Sequence, residues 1–163
     1  MKKLYYDIKK CLGCKSCEIV CAVAHSETKD LFKILREKLL SLPRKKVYKA
    51  GDKNVPVSCR HCQERPCVDA CMAAALIYDK QTGMVLHDEA RCVGCWMCVM
   101  VCPYGAIRPN LKSKIPVRCD KCKDQDEPAC LKACPTGAIL LRPDNDNDNK
   151  ASEDKSHRSP TIA

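Results

Sequence analysis

The sequence predicts an α+β fold in which short strands and short helices form two similar modules. Sixteen cysteines fall into four groups of four, and no cysteine lies outside them. The chain also repeats itself, because the third group follows the pattern of the first and the fourth that of the second. The apolar runs between the groups are short. We therefore expect ligation by the cysteines, rather than a large apolar core, to supply much of the folding free energy.

The cysteine spacing indicates what the four groups bind. The motifs at 11–21 and 92–102 read CxxCxxCxxxC, and those at 59–71 and 119–134 lengthen the middle gap. Three thiolates from one tight loop suit a 4Fe-4S cube, and the fourth cysteine, on the short helix that follows, points to a neighbouring cube. We therefore predict four 4Fe-4S clusters in two tandem or interleaved modules of bacterial ferredoxin type. The predicted iron ligands are Cys11, Cys14, Cys17, Cys21, Cys59, Cys62, Cys67, Cys71, Cys92, Cys95, Cys98, Cys102, Cys119, Cys122, Cys130 and Cys134.

Short strands are expected beside the motifs. Residues 76–78 and 84–86 should form a hairpin, because the turn between them contains Gly83. The other strands should enter the first and third loops or leave the third and fourth, at 4–6, 85–87, 106–107 and 138–141. Aligning the motifs divides the chain into similar halves, at about 1–80 and 81–141.

Glycine and proline mark the cluster loops. Gly13 and Gly94 precede the second cysteine of their motifs, where they let the backbone pass close to inorganic sulfide. Pro103 and Pro135 follow the last cysteine of the third and fourth motifs and should stop the short helix there. The first and second motifs carry Ala22 and Met72 instead, so the turn after their last cysteine is less defined.

An insertion at 22–58 carries no cysteine between Cys21 and the second motif. Helical apolar spacing predicts a helix there, with Ser26 or Thr28 as its N-cap and Pro43 at its end. The apolar stripe should cover the clusters, with docking of a partner as the alternative. Its members are Leu31, Ile34, Leu35, Leu39 and Leu42. From Lys29 to Lys53 there are nine basic and three acidic residues, which form either a solvated face or a docking patch.

Disulfides and zinc are the rival explanations for so many cysteines. A secreted disulfide scaffold is disfavoured because the N-terminal residues include no apolar signal segment. Structural zinc sites use two separated cysteine pairs, whereas here a third and a fourth cysteine follow within a few residues in all four motifs. The spacing therefore favours iron-sulfur clusters.

The basic composition does not indicate a nucleic-acid partner. The formal net charge is +9 with neutral thiols. Four oxidised clusters, each with four thiolates, bring the protein to about +1. With one Phe and one Trp, the chain also lacks aromatic platforms for stacked bases. The positive charge is interpreted first as compensation for the clusters.

The predicted domain is a polyferredoxin domain at 1–141, followed by a polar tail at 142–163 with alternating Asp and Asn. No apolar stretch is long enough for membrane insertion. His61 and His25 are expected to act by hydrogen bonding and by tuning potentials, since the cysteine sets are complete without them. The local cations expected to tune potentials are Arg60, Arg91, Arg118 and Lys121.

With four complete motifs in this order, the chain resembles the iron-sulfur electron-transfer subunits of the DMSO reductase and formate dehydrogenase type. The resemblance covers about residues 5–141. The segments 21–26, 59–62 and 92–98 are most similar to the ferredoxin-like protein associated with carbon monoxide dehydrogenase. Some members of this group replace a ligand by tryptophan, but Trp96 lies between Cys95 and Cys98 without replacing either, so four full cubes are expected.

The resemblance implies crossed ligation between motifs. The implied ligand sets are Cys11, Cys14, Cys17 and Cys134 (site 1); Cys119, Cys122, Cys130 and Cys21 (site 2); Cys59, Cys62, Cys67 and Cys102 (site 3); and Cys92, Cys95, Cys98 and Cys71 (site 4).

The resemblance also implies a function in anaerobic metabolism. The chain should relay single electrons between a large catalytic redox subunit and an acceptor protein such as a hydrogenase or an NAD(P) oxidoreductase. Carbon monoxide dehydrogenase is the first expected partner, and an aldehyde or formate oxidoreductase the second. No catalytic residue and no nucleotide motif is found, so we expect no enzyme activity of its own. The alternatives are a freely diffusing polyferredoxin and a redox sensor. A cytoplasmic location is expected, with membrane association only through a partner.

Overall fold

The computed structural model describes residues 2–38 and 41–143, which form a small mixed α/β structure of short elements. This agrees with the predicted class. Apart from one 3₁₀ turn at Ile34–Arg36, the elements in chain order are β1 (Lys2–Tyr6), α1 (Ser16–Ala24), β2 (Lys45–Ala50), β3 (Lys53–Ser58), α2 (Pro66–Asp69), β4 (Leu76–Asp79), β5 (Met84–His87), α3 (Met97–Met100), α4 (Ala129–Lys132) and β6 (Ile139–Pro143).

The strands pair as three antiparallel two-stranded sheets. Strands β4 and β5 form the predicted hairpin, with Gly83 at a positive φ of 62° in its turn. Strand β1 pairs with β6, placing Leu4 opposite Leu141. Strands β2 and β3 form a hairpin inside the insertion. The β1–β6 sheet therefore joins the beginning and the end of the described chain.

Two apolar cores lie beside the β1–β6 and β4–β5 sheets. In the outer core, Cys17 and Cys130 pack with Val47 and Ile139, and α1 packs against α4. The inner core contains residues of the second and third motifs, and α2 packs against α3. Its buried members are Cys67, Leu76, Val85, Cys98 and Ile107. The first motif is thus associated with the fourth, and the second with the third.

The insertion does not form the predicted helix. After α1 ends at Ala24, the described residues 25–38 and 41–58 contain one helical turn, a 3₁₀ turn at Ile34–Arg36. Ile34 is buried, but Leu35 is 77% exposed and Leu31 is 52% exposed, so the apolar stripe does not cover the clusters. Asp30 bends the chain instead, because its Oδ1 accepts hydrogen bonds from the backbone N–H groups of Phe32 and Lys33.

The predicted strand at 106–107 is also absent. It is replaced by one isolated antiparallel bridge between Arg108 and Val117. Ala106 and Ile107 are nevertheless buried. Core packing, without a continuous ladder, is therefore what holds this segment.

The helix ends follow the proline positions only in part. Helix α1 continues past Cys21 to Ala24, where Ala22 leaves its backbone free to remain helical. Helices α3 and α4 end before Pro103 and Pro135, as expected. Helix α2 ends at Asp69 although Met72 takes the corresponding place, so proline is not required for the stop.

Within 2–38 and 41–143, no helix is long and apolar enough to cross a membrane. Leu39, most of the predicted tail and its His157 lie outside the described residues.

Candidate iron-sulfur sites

Cysteines of the first and fourth motifs meet in one pocket. Cys11, Cys14 and Cys17 line it from the first motif, and Cys134 lines it from beyond α4. Val47 and Pro56 of the β2–β3 hairpin form another wall. Asn54 of the same hairpin donates from Nδ2 to the Cys11 carbonyl oxygen over 3.3 Å. The insertion therefore does cover these thiols, but with a hairpin rather than a helix.

The remaining thiols of these two motifs lie together in the interior. Burial raises the pKa of Cys119 far above its usual value, and the nearby charges of Cys21 and Cys130 act in the same direction. Cys122 has the same two thiol neighbours. All four thiols of this group are buried.

The second and third motifs exchange their last cysteines in the same way. Burial, with the charges of Cys59, Cys102 and Cys62, raises the pKa of Cys67 to about 11, although Arg118 opposes the shift. Burial likewise raises the pKa of Cys98. The other thiols that raise it are Cys92, Cys71 and Cys95. The last cysteine of each motif therefore lies among thiols of another motif.

Exposure differs among the four groups. Cys14 and Cys95 are the two exposed cysteines of the sixteen. Each lies at the second position of its motif, beside an exposed apolar residue, Leu12 or Val93. The first and third motifs, which contribute to the implied sites 1 and 4, therefore each present a thiol to solvent.

Gly13 and Gly94 are required for two reasons. Both have positive φ angles, 70° and 68°, which favour glycine. A Cβ at Gly13 would lie 2.5 Å from Asn54 Oδ1, and one at Gly94 would lie 2.4 Å from the Lys114 carbonyl oxygen. In both loops, another segment of the chain therefore occupies the space next to the glycine Cα that a side chain would need.

Several thiols accept hydrogen bonds from backbone N–H groups. Arg44 N donates to Cys21 Sγ over 3.2 Å, and Ala106 N donates to Cys102 Sγ over 3.4 Å. Lys121 N donates to Cys119 Sγ over 3.4 Å. Such bonds stabilise the thiolate form that a metal requires, and they raise the reduction potential of a cluster.

The buried polar groups fit an anionic cofactor. Within the described chain, five buried side-chain atoms have no hydrogen-bond partner, and four of them are nitrogens. Among them, Lys45 Nζ and Arg118 Nη1 are cationic. Unpaired buried cations are costly unless a negative charge lies nearby. A 4Fe-4S cluster with four thiolates carries about two negative charges, so the residues present fit such a group.

A polar network holds the surroundings of Cys21. His25 Nδ1 donates to the Cys21 carbonyl oxygen over 2.7 Å and lies 3.8 Å from Cys21 Sγ. His25 Nε2 donates to Asp120 Oδ1 over 3.0 Å, and Arg44 Nη1 donates to Asp120 Oδ2 over 2.5 Å. Burial opposes the charge on His25, but the bonds to Asp120 and Cys21 raise its pKa to about 9. His25 is therefore protonated at neutral pH, and both ring nitrogens donate.

His61 follows β3 in the chain and is hydrogen-bonded to β5. It is 1% exposed, and its Nδ1 accepts from Val85 N over 3.1 Å, so Nε2 carries the proton. Burial, followed by the charges of Arg118 and Lys121, lowers the pKa of His61 to about 3. His61 thus stays neutral, and its described hydrogen bond is to backbone rather than to sulfur.

The predicted local cations have different surroundings. Arg118 is 5% exposed and donates from Nη2 to the Val85 carbonyl oxygen. Arg60 is exposed and lies over the Tyr104 ring at 4.2 Å, and Lys121 donates to the Lys2 carbonyl oxygen. Arg91 is exposed. Arg118 is therefore the buried cation of the four.

Lys45 is a second buried cation, which the sequence did not single out as one. It is 2% exposed, and its Nζ lies 4.7 Å from the Tyr6 ring centroid. Burial disfavours its charge, but the charges of Tyr6, Cys130 and Cys17 outweigh burial and raise the pKa of Lys45. A lysine in a run of basic residues gives no sign that it is buried; the alternation in β2, with Lys45 and Val47 on one face, is the only available signal.

Comparison with known proteins identifies the family. Residues 52–143 match the family described as the 4Fe-4S dicluster domain. The chain belongs to this family. It is an electron-transfer iron-sulfur protein.

Named relatives share this role. The chain is 37% identical to the electron transport protein HydN of Escherichia coli K12, over 82% of this chain and 83% of HydN. It is 30% identical to the thiosulfate reductase electron transfer subunit PhsB of Salmonella typhi, over 83% of this chain and 72% of PhsB. A benzoyl coenzyme A reductase BamBC structure is similar in fold, with a TM-score of 0.50 and 20% identity, over 98% of this chain and 83% of that chain.

Proposed function

We propose that the chain is the relay subunit of a larger oxidoreductase, carrying single electrons through four 4Fe-4S clusters. The crossed sets named above as sites 1 to 4 are the proposed ligands. Sites 1 and 2 belong to an outer ferredoxin-like module built from the first and fourth motifs, and sites 3 and 4 to an inner one. When bound, the clusters supply the redox chemistry; the protein supplies thiolates, hydrogen bonds and charge.

Shared neighbours support a linear order of the sites. Cys17 and Cys130 pack in one core, so site 1 adjoins site 2. Cys67 and Cys98 pack in the other, so site 3 adjoins site 4. Arg118 precedes Cys119 in the chain and acts electrostatically on Cys67, which supports a position of site 2 next to site 3. The proposed order is therefore site 1, site 2, site 3, site 4.

The exposure of the thiols carries the proposal. Sites 1 and 4, at the two ends of this order, contain the exposed Cys14 and Cys95, whereas the four thiols of site 2 are buried. An electron carrier needs solvent-accessible or partner-accessible clusters only where electrons enter and leave. A linear relay with two ends fits this distribution.

The relatives favour a relay bound to a catalytic enzyme. PhsB is named as an electron transfer subunit of a reductase. We propose carbon monoxide dehydrogenase as the first partner to test and an aldehyde or formate oxidoreductase as the second, with a hydrogenase or an NAD(P) oxidoreductase as acceptor. In this complex the chain binds no substrate of its own.

Metal analysis and co-purification test the proposal. Anaerobically prepared protein should contain about sixteen iron and sixteen acid-labile sulfide per chain, because four complete ligand sets are present. Zinc without sulfide would contradict the iron-sulfur assignment, and about half the iron would leave only two working sites. Tagged protein from the native cell should retain a catalytic redox subunit; recovery of the holoprotein alone would favour a freely diffusing polyferredoxin.

A further inference from the structure

The two apolar cores differ at one equivalent position. The sequence repeat aligns Pro56–Cys59 with Pro116–Cys119, and therefore Val57 with Val117. Val57 pairs with Lys46, and Val117 pairs with Arg108. In the β2–β3 hairpin, the next pair is Lys45 with Ser58. Extending the isolated Arg108–Val117 bridge by one residue in the same antiparallel sense matches Ile107 with Arg118. Lys45 and Ile107 are thus equivalent.

Both side chains are buried between the third cysteines of two motifs. Lys45 is 2% exposed and lies near the thiols of Cys17 and Cys130. Ile107 is 3% exposed and packs with Cys98 and Cys67. The same repeat aligns Cys17 with Cys98 and Cys130 with Cys67. One core therefore has an ammonium group where the other has an alkyl group.

We propose that Lys45 is a fixed cation shared by sites 1 and 2, and that it raises the reduction potentials of both clusters. This inference rests on the proposed four-cluster function. Adding one electron to a cluster makes its charge more negative by one, and a buried cation beside it stabilises the reduced form. The electron comes from the partner redox enzyme or, in a titration, from a chemical reductant, and no proton or bond change is needed.

The surroundings of Lys45 make its charge effective. No carboxylate of a described residue pairs with its Nζ, and the groups that act on it are the Tyr6 side chain and the thiols of Cys130 and Cys17. The ammonium group faces the ring of Tyr6, whose hydroxyl is hydrogen-bonded to Ser58. A charge in such a buried place is screened far less by salt and water than one at the surface.

The charge of Arg118 does not take the place of the Lys45 charge in the inner core. Arg118 contacts the Val85 backbone at the boundary between sites 2 and 3, and its charge acts on Cys67. The charges that act on Cys98 of site 4 are those of other thiols. Among the described residues, the position equivalent to Lys45 beside Cys98 is thus occupied by the uncharged Ile107.

The test compares Lys45→Met with Lys45→Arg and Ile107→Met in the holoprotein. Iron and sulfide analysis comes first, because failure to find four clusters in the wild type would overturn the proposed function rather than this inference alone. Potentials are then measured by redox titration followed by electron paramagnetic resonance. In Lys45→Met, two of the four one-electron potentials should fall, with at least a tenfold change in each redox equilibrium, or about 59 mV.

The control variants separate charge from packing. Lys45→Arg keeps the cation and should keep both potentials close to those of the wild type. Ile107→Met introduces the same side chain into the other core and should leave all four potentials within a few-fold of their wild-type equilibria. Four unchanged potentials in Lys45→Met, or an equal fall in all four, would overturn the proposal.

A reciprocal variant covers the case in which Lys45→Met does not assemble. Ile107→Lys places an ammonium group between sites 3 and 4 and should raise two potentials by at least a tenfold change in equilibrium. Potentials that stay unchanged in this variant, at full iron content, would equally contradict the role assigned to Lys45.

Discussion

Asp120 and His25 give the site 2 region a pH dependence that can be predicted. The pKa of His25 is raised to about 9 from the usual 6.5, mainly by its bond to Asp120 against the effect of burial. A raised folded-state pKa means that the ion pair stabilises fully below pH 6.5 and is lost as pH rises through 9. The other ring nitrogen of His25, Nδ1, donates to the Cys21 carbonyl oxygen, so the ion pair ties Asp120 to the segment that carries Cys21. The network should therefore weaken in mild alkali.

We expect wild-type protein to lose clusters faster at the alkaline end of this range than at its acidic end. His25→Gln should lose them at a rate that varies less with pH, because glutamine does not titrate. The measurement is the decay of visible absorbance in chelator at several pH values. His87→Gln is the matched control, since burial, followed by the charge of Arg118, lowers the pKa of His87 and keeps it neutral throughout. A His25→Gln profile as steep as that of the wild type would refute the assignment.

Glycine substitutions separate backbone strain from steric contact. Gly94 and Gly105 both have positive φ angles, but only a Cβ at Gly94 would meet another atom, the Lys114 carbonyl oxygen. Gly105→Ala should cost about 1 kcal/mol from strain, and Gly94→Ala clearly more. Because clusters are lost irreversibly, the comparison is between rates of cluster loss on heating. Equal rates of cluster loss in the two variants would show that the Lys114 backbone can move away from the new Cβ without loss of stability.

The sequence predicted the thiol ligands but not their surroundings. Cysteine spacing indicates the candidate ligands directly, since a cube constrains the spacing of the thiols that bind it. The roles of Asp120 and Lys45 depend on contacts across the chain, such as those with Arg44 and Cys130, which no local pattern encodes. Positive φ angles at Lys15 and Trp96 were also unpredictable, because neither side chain favours them.

At the scale of elements, the β4–β5 hairpin was predictable and the insertion was not. A glycine turn between two alternating apolar runs has few other solutions. In the insertion, helical spacing of leucines was outweighed by local hydrogen bonds, including those from Thr28 to Glu37 Oε1. In the β2–β3 hairpin the basic residues lie on both faces of the strand. Lys45 is buried, whereas Lys46 and Lys49 are exposed. A charge reversal at Lys45 would therefore disturb the core and would not test docking.

Docking through the insertion is tested on its exposed lysines. In Lys46→Glu/Lys49→Glu, association with an acidic partner should slow by about tenfold or more at low salt, because electrostatic steering is lost. Lys80→Glu/Lys112→Glu changes the same number of exposed charges outside the insertion and should slow association less. Stopped-flow electron transfer over a range of salt concentrations gives the rates. Equal effects of the two double variants would assign the steering to net charge alone.

For the whole molecule, the motifs that share one half of the sequence repeat are not the ones that pack together in space. The repeat divides the sequence into consecutive halves, but β1 pairs with β6 and α1 packs against α4, so the outer elements enclose the inner ones in sequence. This nesting explains why the last cysteine of each motif lies among the thiols of its partner motif, because the helices of the two partner motifs pack against each other. In the proposed crossed ligation, site 1 would close a loop of more than a hundred residues between Cys17 and Cys134. Cluster assembly should therefore be coupled to long-range folding.

Two serine variants test the crossed ligation. If site 1 takes its fourth ligand from α4's motif, Cys134→Ser should damage the cluster held by Cys11, Cys14 and Cys17 and spare the one held by Cys119, Cys122 and Cys130. Cys21→Ser should do the reverse. Both should loosen the outer module more than the inner one, because each removes a bond between the first and fourth motifs, and ligation contributes folding free energy.

A structure or a site-resolved spectrum of each variant shows which cluster is damaged. Cys71→Ser is the matched control in the inner module. That control should affect site 4 and leave sites 1 and 2 intact. The placement of Cys134 beside Cys14 in one pocket makes the expected outcome specific, since serine there still fits but binds iron more weakly than a thiolate. If Cys134→Ser instead damages the cluster held by Cys119, Cys122 and Cys130, each motif binds its own cube. The nested arrangement of helices would then serve packing alone, and the electron path would have to be redrawn from four independent loops.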